Sequence, residues 1–298
     1  MPGVARLLDV SLRPLLRGSG DPTLRKVGSG WWRASTTAYG PGLTHLVARG
    51  ADVVVSVWGP GGPWLLEQAP RLLGADDSLE TFEPRHHPLV AAAHRERTWL
   101  RLGRTDLVME ALASASIEQV VTGAEAFRAQ RLLVRRFGER VGVGESHPAH
   151  GMYVPLTAAQ WLAVPSWELL KAGVEARRTR ALLAGARAGR SLERLATERF
   201  TGDVDQALRS LPGVGPWTSA QVRQKALGDP DAWSIGDYHV GGLITHAFVG
   251  EKLDDAAAEE MLEPFRGHRY RVERLILGHV PMPERHGPRR TLPTHLPR

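Results

Sequence analysis

Residues 203–228, DVDQALRSLPGVGPWTSAQVRQKALG, read as a helix that runs into Leu211-Pro212-Gly213-Val214-Gly215 and a second helix that starts at Pro216. Proline suits the first helical turn because its missing N–H has no partner there anyway and its φ is already helical. Glycines in the preceding turn let the backbone reverse sharply and leave amide N–H groups uncovered at a helix N-terminus. A hairpin of this kind can hold a DNA phosphate without reading base sequence. The same pentapeptide also suits a plain helix–helix turn in which the glycines serve only to reach positive φ.

Downstream, Asp237 lies 22 residues after Gly215 in SIGDYHVGGLITHAF (234–248). It stands at a turn directly before an apolar helical run, where a carboxylate caps a helix N-terminus. Upstream, residues 107–121 and 124–140 place apolar side chains at three and four spacing and predict a helix pair with a tight turn. Shorter helical segments fill 156–189 after a loop at 142–155, with Thr157 and Ser166 as expected caps. The first hundred residues differ. WWRASTTAY (31–39), LTHLVA (43–48) and DVVVSVW (52–58) are rich in β-branched and aromatic residues, are separated by turn signals, and predict a short antiparallel meander covered by a helix over 63–74. The expected class is therefore α+β. A small mixed α/β domain with an antiparallel sheet (1–88) leads through a polar connection (74–88) into a mostly helical region (89–280), and a basic, loosely ordered tail (281–298) follows.

Composition narrows the chemistry. The chain has no cysteine, which removes disulfides, thiolate metal sites, iron–sulfur clusters and cysteine nucleophiles together. No long apolar run and no secretory signal is visible, so a soluble cytoplasmic protein without membrane contact is expected. The net charge is +6, and the only lysines are Lys26, Lys171, Lys225 and Lys252. An arginine-weighted excess suits phosphate oxygens and also suits ordinary solvated basic faces.

Leu-Pro-Gly-Val-Gly-Pro-Trp-Thr followed at this distance by an aspartate resembles the helix-hairpin-helix (HhH-GPD) DNA glycosylase superfamily. LLKAGVEARRTRALLAGARAG (169–189), Asp237-Tyr238 and PFRGHRYRVERLI (264–276) are similar in order and spacing to the bacterial 3-methyladenine DNA glycosylase II type, over about residues 105–280. The resemblance implies a helical HhH-GPD region and a monofunctional hydrolase that flips an alkylated or otherwise damaged base from double-stranded DNA and leaves an abasic site. It implies Asp237 as the catalytic carboxylate, and Gly213, Val214, Gly215 and Thr218 as the DNA grip. A base pocket at Trp217, Tyr238, Gln221 and Arg274 follows, with Gln119 and Val120 at the place of the wedge that enters the duplex. No cofactor is implied beyond a monovalent cation on the backbone carbonyls of Leu211 and Val214, and a monomer is expected. Arg274 departs from an aromatic pocket for a cationic base. Either the substrate is then not a simple alkylpurine or Trp31, Trp32 or Trp233 supplies the missing ring; alternatively Arg274 faces DNA phosphates or pairs with Asp237.

Bifunctional members of that superfamily use a lysine where this chain has Trp217. The nearest lysine, Lys225, lies about 12 Å further along a regular helix and is expected to face solvent or phosphate. Two other readings compete. A non-catalytic hairpin DNA-binding protein is disfavoured by Asp237. A metal hydrolase would need His86-His87, His147, His150 and the Asp237-x-His239 pair to come together, although they lie in separate loops without a recognised zinc spacing.

Overall fold

The computed structural model describes residues 3–197 and 202–280, so the expected basic tail at 281–298 lies outside the described residues. The chain opens with helix α1 (Val4–Leu12) and a 3₁₀ turn at Arg13–Leu15. Strands β1 (Leu24–Val27), β2 (Gly30–Thr37), β3 (Gly40–Arg49) and β4 (Asp52–Trp58) then form an antiparallel sheet in sequence order. The predicted meander is present, preceded by one further strand.

Alternation along β2 explains how the sheet is covered, because successive side chains point to opposite faces. Trp31 packs with Leu8 and Leu12 of α1 and with Leu72 of α2 (Gly62–Leu72), whereas Trp32 packs on the other face with Leu43, Ala149, Met152 and Val154. The loop at 142–155 is therefore half of a core. Its His147 meets Trp32 edge-on at 4.8 Å, while His45 stacks on the same indole.

Helix α3 (Pro88–Glu96) follows the polar connection. That connection is firmly held, since Asp77 accepts from the Leu102 amide and forms a fully buried ion pair with Arg271 at 2.5 Å. Helices α4 (Val108–Glu118), α5 (Gly123–Phe137), α6 (Ala158–Ala163), α7 (Ser166–Lys171), α8 (Ala176–Ala188), α9 (Arg190–Glu193), α10 (Gly202–Arg209) and α11 (Pro216–Val222) come next. Most of them share one apolar core around Leu112, Ile117, Leu133, Leu182 and Leu208. The predicted pair at 107–140 appears as α4 and α5, and Thr122 opens α5 with a reciprocal capping box to Glu125. Thr157 caps α6 in the same way, whereas Ser166 is the first residue of α7 and its cap position is Pro165.

A second helical core gathers α3 with α12 (Val240–Val249), α13 (Asp255–Leu262) and α14 (Arg269–His279) around Trp233, Ile244, Leu262 and Val272. His87 stacks on Phe248 at 4.2 Å within this core. No described helix is long and apolar enough to cross a membrane.

Candidate active site

The hairpin forms where the sequence places it, between α10 and α11. The Val214 amide donates to the Leu211 carbonyl (3.0 Å) and closes the turn. Gly213 takes φ +89°, a conformation that disfavours a side chain, and a Cβ there would press on the Ala181 backbone of α8. Gly215 differs, with extended backbone and nothing within 4 Å of the position a Cβ would take. One glycine is thus required by the turn and by packing, and the other keeps the outer surface open.

Gln119, at the end of α4, locks the hairpin from below. Its Nε2 donates to the Gly213 carbonyl (3.0 Å) and to Thr218 Oγ1 (2.8 Å). Gln119 and Thr218 are both buried, and so is the Val214 side chain, so these three support the turn from inside and present little side-chain surface to solvent. Val120 is the opposite case. It is 79 % exposed at φ +53°, which for a β-branched residue is a strained conformation.

Asp237 is held from three directions. Its Oδ1 accepts from the His239 amide (2.9 Å) and the Val240 amide (3.2 Å), and its Oδ2 accepts from Trp217 Nε1 (3.2 Å). The residue at the cap position of α12 is His239, two after Asp237, but the aspartate supplies the capping oxygen. Gly236, at φ +80°, turns the chain just before it, and the Gly236 amide donates to Asp255 Oδ2 at 2.6 Å. A Cβ at Gly241 would clash with the same Asp255 carboxylate, which fits the Gly241 position closely. Sequence reading missed Asp255, because its partners lie in another helix and an intervening turn.

Asp237 borders a cavity of about 530 Å³ where the three packed regions meet. Its other walls include Glu118 and Phe127 from α4 and α5, Gln221 and Lys225 from the hairpin's second arm, Glu273 and Arg274 from α14, and Arg17 from the N-terminal segment. The volume is in the range of small-molecule sites.

Several expected side chains occupy different places. Tyr238 is 93 % exposed and is not among the residues that line the cavity. Trp217 is not among the lining residues, although its indole donates to Asp237, which is. Trp31, Trp32 and Trp233 are buried in three separate cores, so the aromatic rings at the cavity are Phe127 and Tyr270. Arg274 does line the cavity, but it neither pairs with Asp237 nor faces outward. It donates to Tyr270 Oη (3.0 Å) and to the Val10 carbonyl of α1 (3.2 Å). Burial works against its charge, yet Tyr270 and Glu273 beside it leave its pKa raised.

The largest correction concerns Lys225. Residues 223–227 form a π-helical turn after α11, and Lys225 turns inward to the cavity it shares with Asp237. Burial pulls its pKa down to about 8 against the attraction of Glu118. Glu118 stands between two cations, with Arg17 Nε at 2.6 Å from Oε1 and Lys225 Nζ at 3.6 Å from Oε2. Burial opposes its charge, and Arg17 and Lys225 lower its pKa overall. Behind Asp237, Glu273 accepts from the Ser234 amide (2.8 Å) and hydroxyl (2.9 Å), and burial pushes its pKa up to about 7.

The architecture has solved counterparts. A 3-methyladenine DNA glycosylase from Archaeoglobus fulgidus superposes with a TM-score of 0.73 at 19% identity, over 90% of this chain and 93% of that one. MBOgg1 in complex with a low-affinity DNA ligand gives 0.69 at 12% identity, covering 91% and 90%. The Clostridium acetobutylicum 8-oxoguanine glycosylase/lyase, solved with double-stranded DNA carrying cytosine opposite 8-oxoguanine, gives 0.69 at 12% identity, covering 90% and 89%. No family model matches the sequence, and no curated protein matches it. The fold is that of the helix-hairpin-helix DNA glycosylases, in the α+β form expected from the sequence.

Proposed function

We propose that this chain is a monofunctional DNA glycosylase that hydrolyses the N-glycosidic bond of a damaged base. The observation that carries the reading is Asp237, a carboxylate fixed by the Trp217 indole and two helix amides at the edge of the cavity, on the element that follows the hairpin.

The bond to be cut is out of reach inside stacked DNA, so the nucleotide must be extruded, and unstacking costs least at damaged or mispaired positions. The hairpin amides around Gly213 and Gly215 take a phosphate, and the open space at Gly215 lets the DNA backbone approach. Val120, strained and exposed between α4 and α5, is the side chain that enters the vacated stack. The resemblance implies that a monovalent cation can bind at this turn. The Leu211 and Val214 carbonyls, neutral hard oxygens, suit a singly charged ion that would screen the phosphate.

As the base departs, positive charge develops at C1′, and Asp237 stabilises it while orienting the attacking water. Water adds to C1′ and gives its proton to Asp237, while the base leaves with the electron pair of the broken bond and, if it was uncharged, takes up a proton as it departs. By the resemblance, Trp217 stands at the position where bifunctional members carry the nucleophilic lysine, and an indole has no basic nitrogen to attack C1′. Water is therefore the nucleophile, the strand stays intact and one protein molecule acts on one lesion. An alkylated base is the expectation from resemblance, and the cavity wall offers both cations (Arg13, Arg17, Lys225, Arg274) and carboxylates (Glu118, Asp237, Glu273) to the base that enters.

Asp237→Asn is expected to keep duplex binding and to lose base excision by about two to three orders of magnitude in single turnover. Borohydride should trap no covalent complex with the wild type. A variant that retains most of the wild-type rate would sink the assignment of Asp237, and trapping that vanishes in Lys225→Ala would replace water by Lys225.

A further inference from the structure

Resting on the glycosylase reading above, we propose that Arg17, Glu118 and Lys225 read the extruded base and select an uncharged one that carries an added ring carbonyl, as oxidation or deamination produces. The cavity wall carries four cationic side chains, Arg13 (paired with Asp9), Arg17, Lys225 and Arg274, alongside the carboxylates of Glu118, Asp237 and Glu273. Of these, Arg274 is committed to Tyr270 Oη and the Val10 carbonyl. Lys225 is different. Its 3.6 Å separation from Glu118 exceeds the span of a charge-assisted hydrogen bond, so its ammonium keeps donors to offer. Glu118, held at 2.6 Å by Arg17, supplies an acceptor beside it. Donor and acceptor thus stand side by side, matching a ring C=O next to a ring N–H.

Deamination exchanges an exocyclic amino donor for a carbonyl acceptor, and oxidation at the five-membered ring of a purine adds one. Either change moves a base toward what a donor-rich wall can bind. N-alkylation of a purine ring moves it the other way, because it adds positive charge beside the Arg17–Glu118–Lys225 cluster, in which two cations share one carboxylate. The aromatic provision agrees. Of the two rings at the cavity, Tyr270 already carries the Arg274 guanidinium 5.8 Å from its centroid, which leaves Phe127 for stacking. A site built from buried polar groups discriminates strongly, because a base that lacks the matching atoms leaves those groups unpaired.

The test is a panel of duplex oligonucleotides carrying uracil, hypoxanthine, 8-oxoguanine, 7-methylguanine or 3-methyladenine, scored for abasic sites in single turnover. At least one carbonyl-bearing base is expected to be excised tenfold or more faster than either alkylpurine. Lys225→Met, checked for folding by thermal melting, is expected to lose that preference by tenfold or more while binding undamaged duplex as before. Faster excision of an alkylpurine by the wild type overturns the proposal and leaves the glycosylase reading standing. Excision of none of the five bases overturns both. The wild-type comparison decides the matter even if Lys225→Met fails to fold.

Discussion

Glu273 shows how one side chain can carry a pH signature of the whole site. It is buried beneath Asp237, with Arg274 beside it and Ser234 donating to both of its oxygens. Burial raises its pKa from 4.5 to about 7, against those hydrogen bonds. Across that window the folded chain keeps a proton that the unfolded chain has already released. Raising the pH from about 4.5 to 7 therefore removes stability, and above that range the penalty is constant. Glu273→Gln has no such titration. Melting temperatures of both proteins measured between pH 4.5 and pH 8 should diverge, with the wild type losing more as pH rises. Parallel curves would mean that Glu273 ionises normally in the folded chain. The slope is the readout, since an amide cannot reproduce both hydrogen bonds from Ser234 and the absolute stabilities will differ for that reason alone.

Among the elements, the hairpin separates two roles that one motif normally merges. Gly213 is needed for the fold, with its positive φ and its contact on Ala181, whereas Gly215 faces open space with ordinary backbone. Gly215→Leu is expected to leave the melting temperature unchanged and to weaken binding to duplexes of any sequence by on the order of tenfold. Gly213→Leu should damage both. Equal binding by the Gly215 variant and the wild type, measured by fluorescence anisotropy at low salt, would remove the phosphate grip from the mechanism. The hairpin, the meander and the aspartate were all legible in the sequence because each is local, resting on turn residues, period-two alternation and a cap before an apolar run. Helix α1 was not, since nine residues near a terminus show too short an apolar stripe to distinguish a helix from irregular chain. β1 was missed because LRKV has one buried and three partly or fully exposed positions. Lys225 was misplaced for two reasons. Its position was reckoned along a regular helix, which the π turn breaks, and its partner Glu118 lies 107 residues earlier, where no local pattern can reveal it.

At the scale of the molecule, the cavity belongs to no single region, and the N-terminal segment closes it. Leu8 and Leu12 anchor α1 in the sheet core with no exposed surface. Asp9 accepts from Lys26 Nζ (2.6 Å) and Trp31 Nε1 (3.0 Å), which fixes the helix against β1 and β2. From that anchorage the chain delivers Val10 to Arg274 and Arg17 to Glu118, one contact with each helical core. The hairpin has no part in this anchorage, being packed in the core of α4 to α11. Loosening α1 should therefore separate two activities that the intact chain performs together. Leu8→Ala is expected to cost about 2–5 kcal/mol of stability through the cavity it leaves. At a temperature where the variant remains folded, α1 should sit less firmly, and base excision should fall several-fold. Salt-dependent binding to undamaged duplex, which the hairpin and its phosphate contacts provide, should stay within about twofold of the wild type. Parallel loss of binding and excision would show that the sheet region contacts DNA directly or that the hairpin depends on it. Unchanged excision would show that the N-terminal segment covers the cavity without shaping the base that enters it.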